Sequence, residues 1–136
     1  MKAKLRIFFL WLISVFFLVS GCTKADGVWA PIKVDKDSFI IPVAGGEAVV
    51  NMTNYEHWWV SDIKIIIDNT EEYLYDYDNN KPILENEWLK VSIPQFNQKQ
   101  VIIKLQPNLG EMRIVQVCMT VGDAFHTIEI KQEKGS

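Results

Sequence analysis

From Asp37 onward, apolar residues recur at every second position, the period of a strand with one buried face. Phe39, Ile41 and Val43 alternate with Ser38, Ile40 and Pro42 before Gly45-Gly46 breaks the run. Ala48, Val50 and Met52 alternate with Glu47, Val49 and Asn51. Trp59, Ile63, Ile65 and Ile67 read as one face of a third strand, with Asp62 and Lys64 on the other. Trp88 to Ile93 reads as a short strand closed by Pro94, and Val101, Ile103 and Leu105 as the buried face of the next, which ends at Pro107. The stretch from Asn69 to Pro82, rich in Tyr, Asp and Asn, reads as a long irregular connection.

The end of the chain is the most constrained part. A two-residue turn at Gly122-Asp123 sets Val121 opposite Ala124, Val117 opposite Ile128 and Val115 opposite Ile130, all on one apolar face. The same register puts Gln116 with Glu129, Cys118 with Thr127 and Ile114 with Lys131 on a mostly polar face, and sets Arg113 against Gln132. One turn therefore sorts both strands. The hairpin brings the total to about seven strands, with no helical period and no internal repeat. Short alternating strands separated by turn residues predict an all-β, immunoglobulin-like β-sandwich.

The first 21 residues belong to another class. Lys2, Lys4 and Arg6 precede an apolar run from Ile7 to Val19, which is too short to span a bilayer and has the layout of a secretory signal. Leu18-Val19-Ser20-Gly21-Cys22 resembles a bacterial lipobox, in which cleavage before the cysteine leaves its thiol and new amino group to carry lipid. The expected organisation is a lipoprotein signal peptide over residues 1–21, a lipidated N-terminus and tether over 22–35, and a sandwich domain over 36–134. The expected location is the bacterial cell envelope, anchored to the outer membrane and facing either the periplasm or the cell surface. Loss of the signal leaves 11 basic against 17 acidic residues, a formal net charge of −6. That balance argues against a nucleic-acid partner and against electrostatic docking on anionic lipid, and makes acyl chains on Cys22 the membrane attachment. With Cys22 lipidated, Cys118 has no disulfide partner.

Several spaced marks within the domain resemble the BACON family, the Bacteroidetes-associated module described as carbohydrate-binding and often N-terminal. They are Phe39 through Gly45-Gly46-Glu47, a Trp at 58 or 59, Trp88 before a short strand, Val101 to Leu105, Pro107-Asn108, Arg113 opening the next strand and Gln132 closing the last. The resemblance covers about residues 36 to 133. It implies an immunoglobulin-like sandwich and a glycan ligand. Each mark also has a plain structural reading: Gly45-Gly46 as a tight turn, Trp59 and Trp88 as core filling, Asn108 as a left-handed turn residue, Arg113 and Gln132 as a cross-strand pair. Two features depart from the family pattern. The module makes up the whole mature chain, and TEEYLYDYDNN lengthens the segment between the Trp positions.

That inserted segment holds the candidate ligand site. Tyr73, Tyr75 and Tyr77 alternate with Leu74, Asp76 and Asp78, followed by Asn79 and Asn80, and Trp58 is a candidate addition from the neighbouring strand. Aromatic faces stack on the apolar faces of sugar rings, while carboxylates and amides hydrogen-bond to hydroxyls. The competing reading is an edge strand whose tyrosines pack on the sandwich. Asp76, Asp78, Asn80, Ile83 and Glu87 also follow the spacing of a calcium loop, but Lys81 stands where that loop needs glycine, so no metal is expected. His57 and His126 are far apart, and no HExxH, GxSxG, GxGxxG or P-loop pattern occurs. No cofactor and no catalysis are expected. The reading is a non-catalytic glycan-binding module, or alternatively an accessory lipoprotein whose sandwich contacts another envelope protein.

Overall fold

The computed structural model describes residues 29–76 and 81–135. Among them are nine strands and no helix: β1 (Ser38–Ile41), β2 (Gly46–Asn51), β3 (Trp59–Ile67), β4 (Thr70–Tyr75), β5 (Ile83–Glu85), β6 (Leu89–Ser92), β7 (Gln100–Leu105), β8 (Arg113–Val121) and β9 (Ala124–Gln132). One sheet has the order β1-β9-β8-β3-β4 and the other β2-β7-β6-β5. Between them lies a core of Ile63, Ile65, Val115, Val117, Ile128 and Ile130 from the first sheet and Val50, Val91, Val101, Ile103 and Leu105 from the second. The protein is an all-β sandwich.

The closing hairpin has the predicted register at all nine pairs, from Arg113↔Gln132 to Val121↔Ala124. Gly122 has φ +56° and Asp123 does not enter the positive region, the pattern of a type II′ hairpin turn. A Cβ on Gly122 would lie 2.2 Å from the Trp29 ring, so the position needs glycine both for its backbone and for the side chain stacked over it.

Two strands exceed the expected seven, and both come from or border the stretch read as irregular. Asp68 and Asn69 have φ 49° and 62°, the left-handed pair of a type I′ turn, and they fold Thr70–Tyr75 back on β3 as an edge strand. β5 then pairs with β6. A second departure is a bulge in β3 between Val60 and Asp62. The extra residue, Ser61, reverses which side chains face inward. Trp58, 1% exposed, is therefore in the core, while Trp59, 37% exposed, stands on the outer face. Trp88, read as core filling, is half-buried, with the Arg113 guanidinium 4.1 Å from the centre of its ring.

At the Arg113 end, a buried polar network joins the two sheets. Gln132 is fully buried; its amide nitrogen donates to the carbonyls of Pro42 (3.1 Å) and Gln106 (3.0 Å), and its oxygen accepts from Arg113 Nη1 (3.0 Å). Burial lowers the pKa of the Arg113 guanidinium. Asn108, also buried, donates from its side chain to the carbonyls of Glu111 and Glu133 and accepts from the Gly110 N–H. Its φ is not positive, so its place in the turn comes from these bonds and not from left-handed backbone.

The chain is docked on the sandwich from Trp29, earlier than the residue-36 start read from composition. Ile32 is in the core, Val34 bridges to Met52, and Asn54 holds the Pro31 carbonyl and the Lys33 N–H. Asp35 accepts from both the backbone and the side-chain amide of Asn51 at 2.9 and 2.8 Å. Apolar and hydrogen-bonded anchoring together make residues 29–35 part of the domain.

Gln132→Leu keeps the volume but strips a hydrogen bond from two carbonyls and from Arg113, so it is expected to destabilise by roughly 2–3 kcal/mol. The urea midpoint should fall at unchanged slope. The side-chain hydrogen bond from Asn51 holds the Asp35 carboxyl below its ordinary value, against desolvation. The stabilisation it adds is complete above the ordinary carboxylate pKa of ~4 and is lost as pH falls through the lowered folded value. An NMR pH titration should show residues 29–36 loosening in acid, with the step absent from Asp35→Asn.

Candidate functional site

Tyr73 and Tyr75 lie on the outer face of the five-stranded sheet, opposite Lys64 and Asp62 of β3. They are 41% and 46% exposed, and their ring centres are 5.7 Å apart with planes at 14°, within the range of stacked aromatic pairs. Lys64 Nζ lies 3.1 Å from Glu71 Oε1, and the Tyr73 hydroxyl lies 3.4 Å from Glu71 Oε2. The hydrogen bond and charge of Glu71 raise the pKa of the Lys64 ammonium. Tyr73 and Tyr75, expected on a loop, therefore sit on a strand, and their rings face solvent instead of packing between the sheets.

The same outer face continues across β8 and β9 as polar positions. Gln116 donates to Glu129 (3.3 Å), and Cys118 lies between Asp62 and Thr127 in the ladder. Cys118 is half-buried; desolvation raises its thiol pKa, and the Asp62 charge adds to the rise against a Ser61 hydrogen bond. The middle of the face is thus polar, with a paired aromatic element at its β4 edge and Trp59 and Phe125 toward the Gly122 end.

The other predicted ligand residues fall elsewhere. Asp76 is buried and accepts the Lys81 N–H at 2.7 Å, so it braces the connection to β5 and does not present its carboxylate to solvent. Trp58 is removed from the surface by the β3 bulge. Tyr77, Asp78 and Asn80 lie outside the described residues, as does Cys22. Of the predicted set, the structure brings Tyr73 and Tyr75 together on one surface.

An aromatic cleft at the Gly122 end was not anticipated. It encloses about 430 Å³ and is lined by Trp29, Tyr55, Glu56, His57, Trp59, Val121 and Gly122. His57 meets Trp59 edge-on with centres 4.5 Å apart, and Trp29 is tilted against Tyr55 at 6.1 Å. Trp59 is also a wall of a second cleft of about 230 Å³, lined with Trp58, Lys81, Ile93, Gln95 and Gln98 among others. The Trp58 indole N–H is buried without a hydrogen-bond partner among the described residues. The signal for this cleft was the adjacent pair Trp58-Trp59, which becomes legible only once the bulge is known.

The remaining chemistry is dispersed. His126 Nε2 lies 3.3 Å from Asp37 Oδ2 without the alignment of a hydrogen bond, far along the chain from His57 and with a different partner. Among the described residues, no three His, Cys, Asp or Glu side chains converge as a metal would require, and no helix is long and apolar enough to cross a membrane.

The bulge makes two adjacent tryptophans unequal. Trp58→Ala should cost about 3–5 kcal/mol by opening a core cavity, whereas Trp59→Ala should cost about 1 kcal/mol or less as a surface change. Paired urea titrations of the two variants would read the difference, and equal losses would contradict the inward placement of Trp58.

No family model and no curated protein matches the chain. Among solved structures, it is similar to an NMR structure of a protein from Bacteroides thetaiotaomicron, with TM-score 0.62 and 18% identity. That match covers 83% of this chain and 95% of the other. At this identity the likeness is one of fold.

Proposed function

We propose that the protein is a non-catalytic, BACON-like module of the bacterial cell envelope, held to the outer membrane by lipid on Cys22, that binds glycan chains. The observation that carries the glycan reading is the solvent-facing, near-parallel pair Tyr73 and Tyr75. Their rings offer apolar surface to sugar C–H faces. The flanking Lys64 and Glu71, with Asp62 opposite Tyr75, supply donors and acceptors for hydroxyls. Being on a strand, the pair is held on a rigid element, which favours the preorganisation that binding needs. The lipobox sequence Leu18 to Cys22 and the acidic balance of the mature chain support covalent rather than electrostatic attachment.

Calorimetry against a panel of bacterial and host glycans should find a ligand whose affinity falls at least ~10-fold in a Tyr73→Ala/Tyr75→Ala variant. Because both side chains are exposed, the variant should remain folded. No binding by the wild-type chain to any glycan would reject the reading. A co-purified envelope protein released by the same pair of substitutions would give the surface to the accessory, protein-contacting alternative.

A further inference from the structure

Apart from the lateral pair Tyr73 and Tyr75, the exposed Trp and Phe side chains among the described residues lie at one end of the sandwich. Trp29 (45% exposed) covers the β8–β9 turn, and Phe125 (62%) follows that turn. Trp59 (37%) is aligned with Thr120, which in turn pairs with Phe125, so these residues form a row across three strands. Phe96 (90%) stands on the β6–β7 connection, beside Gln95 and Gln98 of the cleft that Trp59 walls. The opposite end, by contrast, holds the buried Gln132 and Asn108 networks.

The chain also enters the domain at this aromatic end. The Tyr55 hydroxyl donates to the Ala30 carbonyl, Asn54 holds the Pro31 carbonyl, and the Trp29 ring lies on Gly122, so the entry point is fixed and not free to swing. Six residues lie between Cys22 and Trp29, which makes seven steps along the chain. At full extension they reach no more than ~25 Å. A lipid on Cys22 would therefore keep this end near the membrane surface.

We infer that the Trp29, Trp59, Phe96 and Phe125 end is a membrane seat, contacting the interfacial region of the bilayer to which Cys22 is anchored. The indoles of Trp29 and Trp59, with a polar edge on an apolar body, partition into that region, and the Phe96 and Phe125 rings add apolar surface that inserts beside them. Covalent tethering supplies a high local concentration, so modest ring insertion suffices to hold the orientation. The acidic balance of the mature chain points to apolar ring contact, not charge attraction, as the seating interaction. The inference rests on the lipid attachment proposed above and is independent of glycan binding.

The test uses the full mature chain in phosphatidylcholine vesicles made with or without brominated acyl chains, after its mass has been checked for acylation at Cys22. Tryptophan emission should be lower in the brominated vesicles. The loss should vanish in a Trp29→Phe/Trp59→Phe variant, whose remaining emitters are the buried Trp58 and Trp88 at the far end. A Phe96→Ser/Phe125→Ser variant should show weaker quenching with an unchanged circular dichroism spectrum. Equal emission in both vesicles from an acylated chain would overturn the seat and leave the anchor standing. Undiminished quenching in the Trp29→Phe/Trp59→Phe variant would place another surface on the lipid and likewise overturn it. An unacylated Cys22 would overturn seat and anchor together, while the glycan panel would still decide the ligand.

Discussion

The side chain of Gln132 is where the two sheets are made to agree. Apolar contact across a sandwich is non-directional and tolerates sliding. A buried primary amide does not, because each of its polar atoms must find a partner at hydrogen-bonding distance. Gln132 satisfies that demand with one carbonyl from the β1–β2 turn, one from the strand end after β7, and the Arg113 guanidinium of β8. Its neighbours extend the constraint. Arg113 lies over Trp88, Gln106 donates its N–H to the Trp88 carbonyl, and the Asn108 N–H reaches the Val43 carbonyl. Gly45 is required here because a Cβ would meet the Leu105 carbonyl at 2.7 Å. A single end of the domain thus sets the relative position of both sheets.

That concentration has a consequence for the other end. With sheet alignment set around Gln132, the connections at the Gly122 end can carry aromatic surface that packing does not need. Tyr55, His57 and Trp59 flank an open cleft instead of filling it, and Phe96 stands clear of the core. The marks that carry the family resemblance divide in the same way. Gly45, Trp88, Asn108, Arg113 and Gln132 all belong to the packed end, where their contacts build the fold.

Legibility in the sequence followed the range of the physics involved. The closing hairpin could be read residue by residue because one short turn fixes the register of everything it joins. The Arg113–Gln132 pair came with it, but its reach to Pro42 did not, since nothing local connects positions 90 residues apart. Asp68-Asn69 is a readable left-handed turn that the surrounding polar residues obscure, which leaves β4 as only the competing, edge-strand reading of that segment. The bulge was the costliest gap. Apolar residues at 58, 60, 63 and 65 keep alternation on both sides of Ser61 with a shift of phase between them, and a strict period-two reading from Trp59 therefore turned the strand over. The aromatic content of the candidate site was visible in Tyr73 and Tyr75. Its depth was not, because burial of Asp76 depends on the backbone amide that its carboxylate meets.

The directions of the strands relate the two proposed surfaces. β3 runs from Trp59 at the aromatic end toward Ile67, and β4 returns beside it, so Tyr75 and Tyr73 lie progressively farther from that end. They also project from the side of the sandwich, roughly perpendicular to the strands. With the Gly122 end seated on the bilayer, the tyrosine pair would stand on a lateral wall at two heights above it, open to a chain running past the domain. Membrane seating and glycan contact then use different residues: Trp59 and Phe125 share the outer face of the five-stranded sheet with the tyrosines but lie at its Gly122 end. In that arrangement a short tether is an advantage, because a domain held upright keeps its lateral face turned outward, whereas a freely swinging one would sweep that face against the membrane.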